Sequence, residues 1–258
     1  MKKIYLAFTI FLMLFCFSAK PATAFTAGKA YLQVVHLAPF AEDASVTISL
    51  NGSPALPDFD YGESTPYIEL DPGEYDVAIT PTGATDPALE ETVTLMAGLQ
   101  RATIAVGDIT NQPLALLVEE DEVTAPAAGK FKLRLGHLAP FAGTLDGTKA
   151  DIRFEDGTPI VEDIIFGQVE DYSELPAGTY DLKITTPGGG TTLIDLAPVT
   201  FTDGQIVSAF AVGEGTNQDL GGFALPSNTE GFFLPLTAFT AGKAYLQVAH
   251  LAPFAEDA

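Results

Sequence analysis

The chain has 258 residues, 47% of them hydrophobic, and its 34 acidic residues against 12 basic ones give a formal net charge of −22. Charge of that sign repels phosphate backbones and anionic lipid, which excludes nucleic acid as a partner and simple adsorption to an acidic membrane. A single cysteine, Cys16, excludes an intrachain disulfide framework.

Lys2 and Lys3 make a basic start, Ile4 to Phe17 is mostly apolar, and Ala22-Thr23-Ala24 has the small-x-small form of a processing site. Residues 1–24 are therefore expected to be a helical signal peptide, cut between Ala24 and Phe25. The apolar run is too short for a lasting anchor, so no membrane insertion is expected after its removal. Phe15, just before Cys16, is too bulky for lipoprotein processing. With the signal gone, nine basic residues remain against 34 acidic, a net −25. Export predicts a secreted or cell-surface protein held together by its cores alone.

Beyond the signal the pattern is β. In residues 25–118, Ala30, Leu32, Val34 and His36 share one parity, and Tyr75, Val77 and Ile79 alternate with Asp76. Asn51-Gly52 and Asp71-Pro72-Gly73 supply turns. Residues 119–129 (EEDEVTAPAAG) are acidic, then rich in Ala and Pro, and read as a linker. In residues 130–226, Phe131, Leu133 and Leu135 alternate with Lys132 and Arg134, and turns fall at Asp156-Gly157 and Pro187 to Gly190. Residues 227–237 read as a second linker. Residues 238–258 start a third domain and break off. No long helical period appears outside the signal. The predicted fold is all-β, with two tandem immunoglobulin-like antiparallel β-sandwich domains and the first strand of a truncated third.

The two domains are homologous. His36-Leu37-Ala38-Pro39-Phe40 recurs at His137 to Phe141 and again at His250 to Phe254. Tyr61-Gly62 matches Phe166-Gly167, Leu70-x-x-Gly73-x-Tyr75-Asp76 matches Leu175-x-x-Gly178-x-Tyr180-Asp181, and Ala105-Val106-Gly107…Asn111-Gln112 matches Ala211-Val212-Gly213…Asn217-Gln218. Residues 237–258 repeat 23–44 with one change, Val35 against Ala249, so the repeating unit is the pair of domains. By parity Val35 faces outward, where a smaller side chain should cost little.

All three histidines sit in the recurring motif, which invites a metal or general-base reading. Their parity is that of the core, so a structural role is expected for His36, His137 and His250: the ring nitrogens tie down the next turn, and Pro39 and Pro140 end the ladder. Neither domain has a second histidine to build a zinc site. Tyr75 and Tyr180 should turn inward, as in a tyrosine corner whose hydroxyl bonds back to nearby backbone. No nucleophile elbow, phosphate loop or metalloprotease helix is present. Carboxylate pairs such as Asp58/Asp60 and Glu90/Glu91 are expected by chance in so acidic a chain. Glu119 to Glu122 could hold calcium weakly, though an acidic, solvated linker is the plainer reading. No catalytic residue, resident metal or cofactor is expected.

A strand ending in Val-His-x-x-Pro, a later Tyr-Gly and then Leu-x-x-Gly-x-Tyr-Asp-Val, in tandem, resembles the domain of unknown function 4397 family. The resemblance implies extracellular immunoglobulin-like repeats and no particular chemistry. Where that family more often has His-Ala-Ser-Pro-Asp, this chain has His-Leu-Ala-Pro-Phe, so no acidic role carries over there.

The expected function is a secreted or surface-displayed, non-catalytic structural or adhesive module. The alternative is an extracellular carbohydrate- or ligand-binding module, with Tyr67, Phe232 and Phe233 as exposed aromatics and a glycan or another extracellular protein as partner. A lesser alternative is a filament subunit that self-associates by lending residues 238–258 to another chain as a strand. Deleting residues 238–258 tests that last reading: strand donation predicts loss of oligomers by light scattering, and unchanged assembly contradicts it.

Overall fold

A computed structural model describes residues 25–227 and 229–237. The expected signal peptide, its cleavage at Ala24, and the third-domain segment with His250 lie outside the described residues. Alternating sequence in the first domain builds β1 (Ala30–His36), β2 (Ser45–Leu50), β3 (Ser53–Asp60), β4 (Ile68–Leu70), β5 (Gly73–Pro81), β6 (Leu89–Leu95), β7 (Gln100–Val106) and β8 (Ala115–Glu120). They form two sheets, β4-β1-β7-β8 and β3-β2-β5-β6. Leu32, Val34, Val46, Ile48, Val77, Ile79 and Val93 fill the space between them.

The second domain repeats this plan with β9 (Lys130–His137), β10 (Ala150–Phe154), β11 (Pro159–Ile164), β12 (Gln168–Val169), β13 (Ser173–Pro176), β14 (Gly178–Tyr180), β15 (Leu182–Thr185), β16 (Thr192–Asp195), β17 (Val199–Phe201), β18 (Ile206–Val212), β19 (Gly221–Pro226) and β20 (Phe232–Leu234). In one sheet β12 and β13 pair along the same edge of β9, and β18, β19 and β20 follow on its other side; the other sheet runs β11-β10-β15-β16, with β14 and β17 as a separate pair. Phe131, Leu133, Ile152, Ile184, Ile194 and Phe201 form its core.

The fold is all-β, in tandem sandwiches, as the sequence predicts. One detail differs. β1 pairs with β7 in parallel, and β9 pairs with β18 in parallel, so each sandwich is mixed rather than purely antiparallel. The first strand of each domain runs the same way as a strand near its end, β7 or β18, and most of the domain serves as the connection that parallel pairing needs.

The larger difference concerns the outward face of β1. All seven of its residues are buried, and Val35, expected to face water, is 0% exposed. The second domain covers it. Val35, Leu37, Ala102, Ile104 and Val106 of the first domain pack with Leu138, Phe210, Val212, Phe223 and Leu225 of the second in a third core. The molecule is therefore four layers of sheet, with the two histidine-bearing sheets in the middle. Where the first domain has Val35, the second has Gly136; a Cβ there would come within 2.8 Å of the Phe210 ring.

The stretches read as linkers are fastened down. Glu119 and Glu120 continue β8, and Asp121 is buried. Phe232–Leu234 is a strand whose Leu234 enters the second core. Thr237 then donates its backbone N–H to Asp195 O at 2.9 Å. Alternation in the sequence reports one buried face per strand; it carries no mark for a face covered by a separate domain.

One loop is strained. Ile109 has φ +68° and is 61% exposed, whereas the matching residue is Gly215, with φ +85°. A β-branched side chain is disfavoured there. Ile109→Gly is expected to raise stability by about 1 kcal/mol in urea denaturation. Val35→Ala is expected to lower it by about 1–3 kcal/mol at constant m-value, as for a fully buried side chain. A loss within about 0.5 kcal/mol, the range of surface substitutions, would restore the outward-face reading.

Candidate functional site

The His-Leu-Ala-Pro-Phe motif closes the last turn of the central strand in each domain. His36 Nδ1 accepts the Ala38 N–H at 3.4 Å, and His137 Nδ1 accepts the Ala139 N–H at 3.4 Å. His137 Nε2 donates to the Thr148 carbonyl at 2.7 Å. A carbonyl only accepts, so this ring is the neutral tautomer with its proton on Nε2. The motif's phenylalanine stacks on the same ring, with His36–Phe40 centroids 5.9 Å apart and His137–Phe141 centroids 5.3 Å apart. Burial lowers both histidines to about 4, opposed by the backbone of Ala44 at His36 and of Thr148 at His137. Neither imidazole is charged or open to a substrate at neutral pH, which supports the structural reading of His36 and His137. Pro39 and Pro140 follow in the turn, after Leu37 and Leu138 have each made one more backbone bond, to Ala105 and Ala211.

The tyrosine corners form as expected. Tyr75 Oη donates to Asp71 O at 2.8 Å and Tyr180 Oη to Pro176 O at 2.7 Å, four residues upstream in both cases. Tyr75 packs against the first core, and Tyr180 lies against Phe131 and Phe201 in the second.

One further recurrent motif, the Asn-Gln pair, acts between the domains rather than within them. Asp108 Oδ1 accepts the N–H groups of Asn111 and Gln112 at 2.8 and 2.9 Å. Glu214 accepts those of Asn217 and Gln218, one on each carboxylate oxygen. Each loop, so fixed, reaches across the junction. Gln112 Nε2 donates to Ala142 O at 2.7 Å, while Gln218 Nε2 donates to Ala41 O at 3.1 Å and Glu42 O at 2.8 Å. Each domain thus grips the turn that follows the other's His-Leu-Ala-Pro-Phe. The recurrence of Asn-Gln was visible in the sequence, but not that its partner lay in the other copy.

The junction also holds a buried ion pair. Arg134 Nη2 and Asp121 Oδ1 are 2.6 Å apart, and both side chains are 3% exposed. Arg134 Nε donates to Ser208 Oγ at 2.9 Å, Nη1 donates to Glu120 O at 2.9 Å, and the guanidinium lies 4.5 Å over the Tyr172 ring. Tyr67 Oη donates to Asp121 Oδ2 at 2.8 Å, and the Tyr172 hydroxyl is 3.4 Å from Oδ1. Burial raises the Asp121 pKa, opposed chiefly by the Arg134 charge, and pushes Tyr172 up to about 12. Tyr67 and Tyr172 occupy the same place in the two repeats. The sequence predicts an exposed aromatic at Tyr67 and a solvated linker acid at Asp121; both are instead consumed in this network.

Beside the junction lies a crevice of about 360 Å³, lined by Glu63, Ser64, Thr65 and Pro66 on one side and Glu230 and Gly231 on the other. Ser64 Oγ accepts the Gly231 N–H at 2.5 Å and ties the walls together. Phe233 is 48% exposed, and its ring lies tilted by 34° to that of Tyr61, with centroids 5.6 Å apart. Phe232 packs against the second core. Of the three aromatics expected to be exposed, only Phe233 is.

Among the described residues no group of three or more His, Cys, Asp or Glu is placed to hold a metal ion. The acids of 119–122 turn mostly to protein cations: Glu119 lies 3.9 Å from Arg134, and Glu122 lies 3.2 Å from Lys132. Hydrogen bonds from Thr124 bring Glu122 down to about 2.

The family model described as a domain of unknown function (DUF4397) matches residues 30–148 and 146–257. No curated protein matches the chain. Among solved structures, the chain is similar to the TIE protein of Bacillus anthracis at 14% identity and a TM-score of 0.21, over 72% of this chain and 34% of that one. The chain thus spans about a third of that protein's length. It is also similar to an alpha-glucan-binding streptococcal virulence factor at 12% identity and a TM-score of 0.25, over 78% of this chain and 97% of that one.

The histidines make stability fall in acid. Their ordinary value of 6.5 applies to the unfolded chain, and the folded value is about 4. Unfolded protein therefore binds more protons between those limits, so their stabilising contribution is complete above pH 6.5 and is lost as pH falls towards 4. Urea midpoints measured across pH 7 to 4 should drop steadily, and the drop should be smaller in His137→Gln, which has one such group fewer. An equal slope in the variant would contradict the assignment. His137→Ala should lower stability while metal content, by elemental analysis, stays unchanged; stoichiometric zinc lost in that variant would overturn the structural role.

Proposed function

The chain belongs to the domain of unknown function 4397 family, and from that premise we propose that it is a non-catalytic structural or adhesive module. It acts outside the cell, exported by its basic and apolar leader, as a spacer built of paired β-sandwiches. The observation that carries this reading is the third core. An apolar interface sealed by two reciprocal glutamine grips and a buried ion pair makes two domains into one rigid unit, which suits a spacer. The recurrent side chains that would otherwise suggest chemistry are taken up in folding. Both described motif histidines close turns, and both corner tyrosines bond to backbone. Small-angle scattering should fit one fixed four-layer particle, and the purified protein should turn over neither polysaccharides nor esters. A profile of two separated beads, or hydrolysis at ordinary enzymatic rates, would overturn the proposal.

A second reading, a carbohydrate-binding module, rests on Phe233. A half-exposed ring packed against Tyr61, close to a crevice that offers Ser64, Thr65, Glu63 and Glu230, combines the apolar plane and the polar groups that a sugar uses. A glycan array should then show binding that is lost in Phe233→Ala. No signal from the unchanged protein rules this reading out.

A further inference from the structure

The two central sheets meet through faces that share a plan but differ in chemistry. Gln33 of β1 corresponds to Arg134 of β9, Ile104 to Phe210, Leu117 to Phe223, and Asp121, just past β8, to Ser227, just past β19. Across the junction these positions cross over. Arg134 meets Asp121 at 2.6 Å, and Gln33, in the matching place, donates to the Thr229 carbonyl at 2.6 Å. The second face presents Phe210 and Phe223; the first presents the smaller Val35, Ala102 and Ile104.

From this crossing we infer that the faces form a heterophilic pairing code. A first-type face docks on a second-type face and rejects its own type, so the partner of an opened chain is the opposite domain of a second copy of this chain. Two first-type faces together would set each Asp121 against a Gln33 and leave two carboxylates buried without a cation. Two second-type faces would set each Arg134 against a Ser227 and crowd four phenylalanines into one layer. A buried charge stripped of its partner is strongly destabilising. Each homopair is therefore disfavoured at least about a hundredfold.

The glutamine grips do not discriminate. Gln112 and Gln218 bind equivalent turns, and their bonds would survive in any pairing. Selectivity rests on the Arg134–Asp121 pair and on the size match beside it. The consequence is exchange of whole domains between copies, first on second in every junction.

The test uses the full chain with a protease site inserted between Ala127 and Ala128, both exposed, and nicked after folding. Isotope-labelled and unlabelled nicked chains are mixed, unfolded, refolded and read by native mass spectrometry. Labelled and unlabelled halves should scramble, and each complex should hold one first half and one second half, with homopairs below about one in a hundred. In Arg134→Gln, homopairs of the second half should appear, because the buried guanidinium is gone. In Asp121→Asn, homopairs of the first half should appear. Homopairs at the random share in the unchanged chain, halves that never associate, or homopairs still absent in both variants would each overturn the code.

Discussion

The junction between the central sheets depends on covering a surface that a single sandwich would leave to water. β1 is buried along its whole length, its even-numbered residues facing the core of its own domain and Val35 facing the other domain. A strand buried on both faces contributes apolar burial twice, at roughly 25 cal/mol for each Å² removed from water. Much of the rest follows from this. The histidine turns are sealed because they sit at the end of doubly covered strands, and their low pKa values are a result of that burial. The glutamine grips bind those same turns from the opposite domain, so the motif that ends each strand also anchors the partner.

Apolar burial sets the strength of the junction, and the polar groups set its geometry. A buried ion pair is weak evidence for stability, since desolvation offsets much of the attraction. Arg134 is nonetheless served on several sides, by Asp121, Ser208, the Glu120 carbonyl and the Tyr172 ring. Such full satisfaction fixes one arrangement out of many that apolar faces alone would accept. Gln33, in the equivalent place, has a buried Oε1 with no hydrogen-bond partner among the described residues. The first domain's copy of the site is thus the less satisfied of the two.

Much of the fold was legible in the sequence. Alternation located the strands, the duplicated motifs located the domains, and the Leu-x-x-Gly-x-Tyr spacing announced corners whose hydroxyl bonds the structure contains. Parity put His36 and His137 correctly on the inside. The same parity misplaced Val35, because period-two alternation is judged against water and the second face meets another domain instead. The signal for that was present: only Gln33 interrupts the apolar run from Ala30 to Val35, and Ile104, Ala105 and Val106 are apolar in succession, as in a strand buried on both faces. Asp121 was hidden differently. In an acidic stretch one carboxylate looks like its neighbours, and only the three-dimensional approach of Arg134 singles it out.

The shared core makes the two sandwiches one cooperative unit, which differential scanning calorimetry of residues 25–237 can read. A single transition is expected, with calorimetric and van't Hoff enthalpies that agree for the whole pair. Two resolved transitions, or a van't Hoff enthalpy near half the calorimetric enthalpy of the pair, would show that the domains unfold independently and that the junction is only a contact.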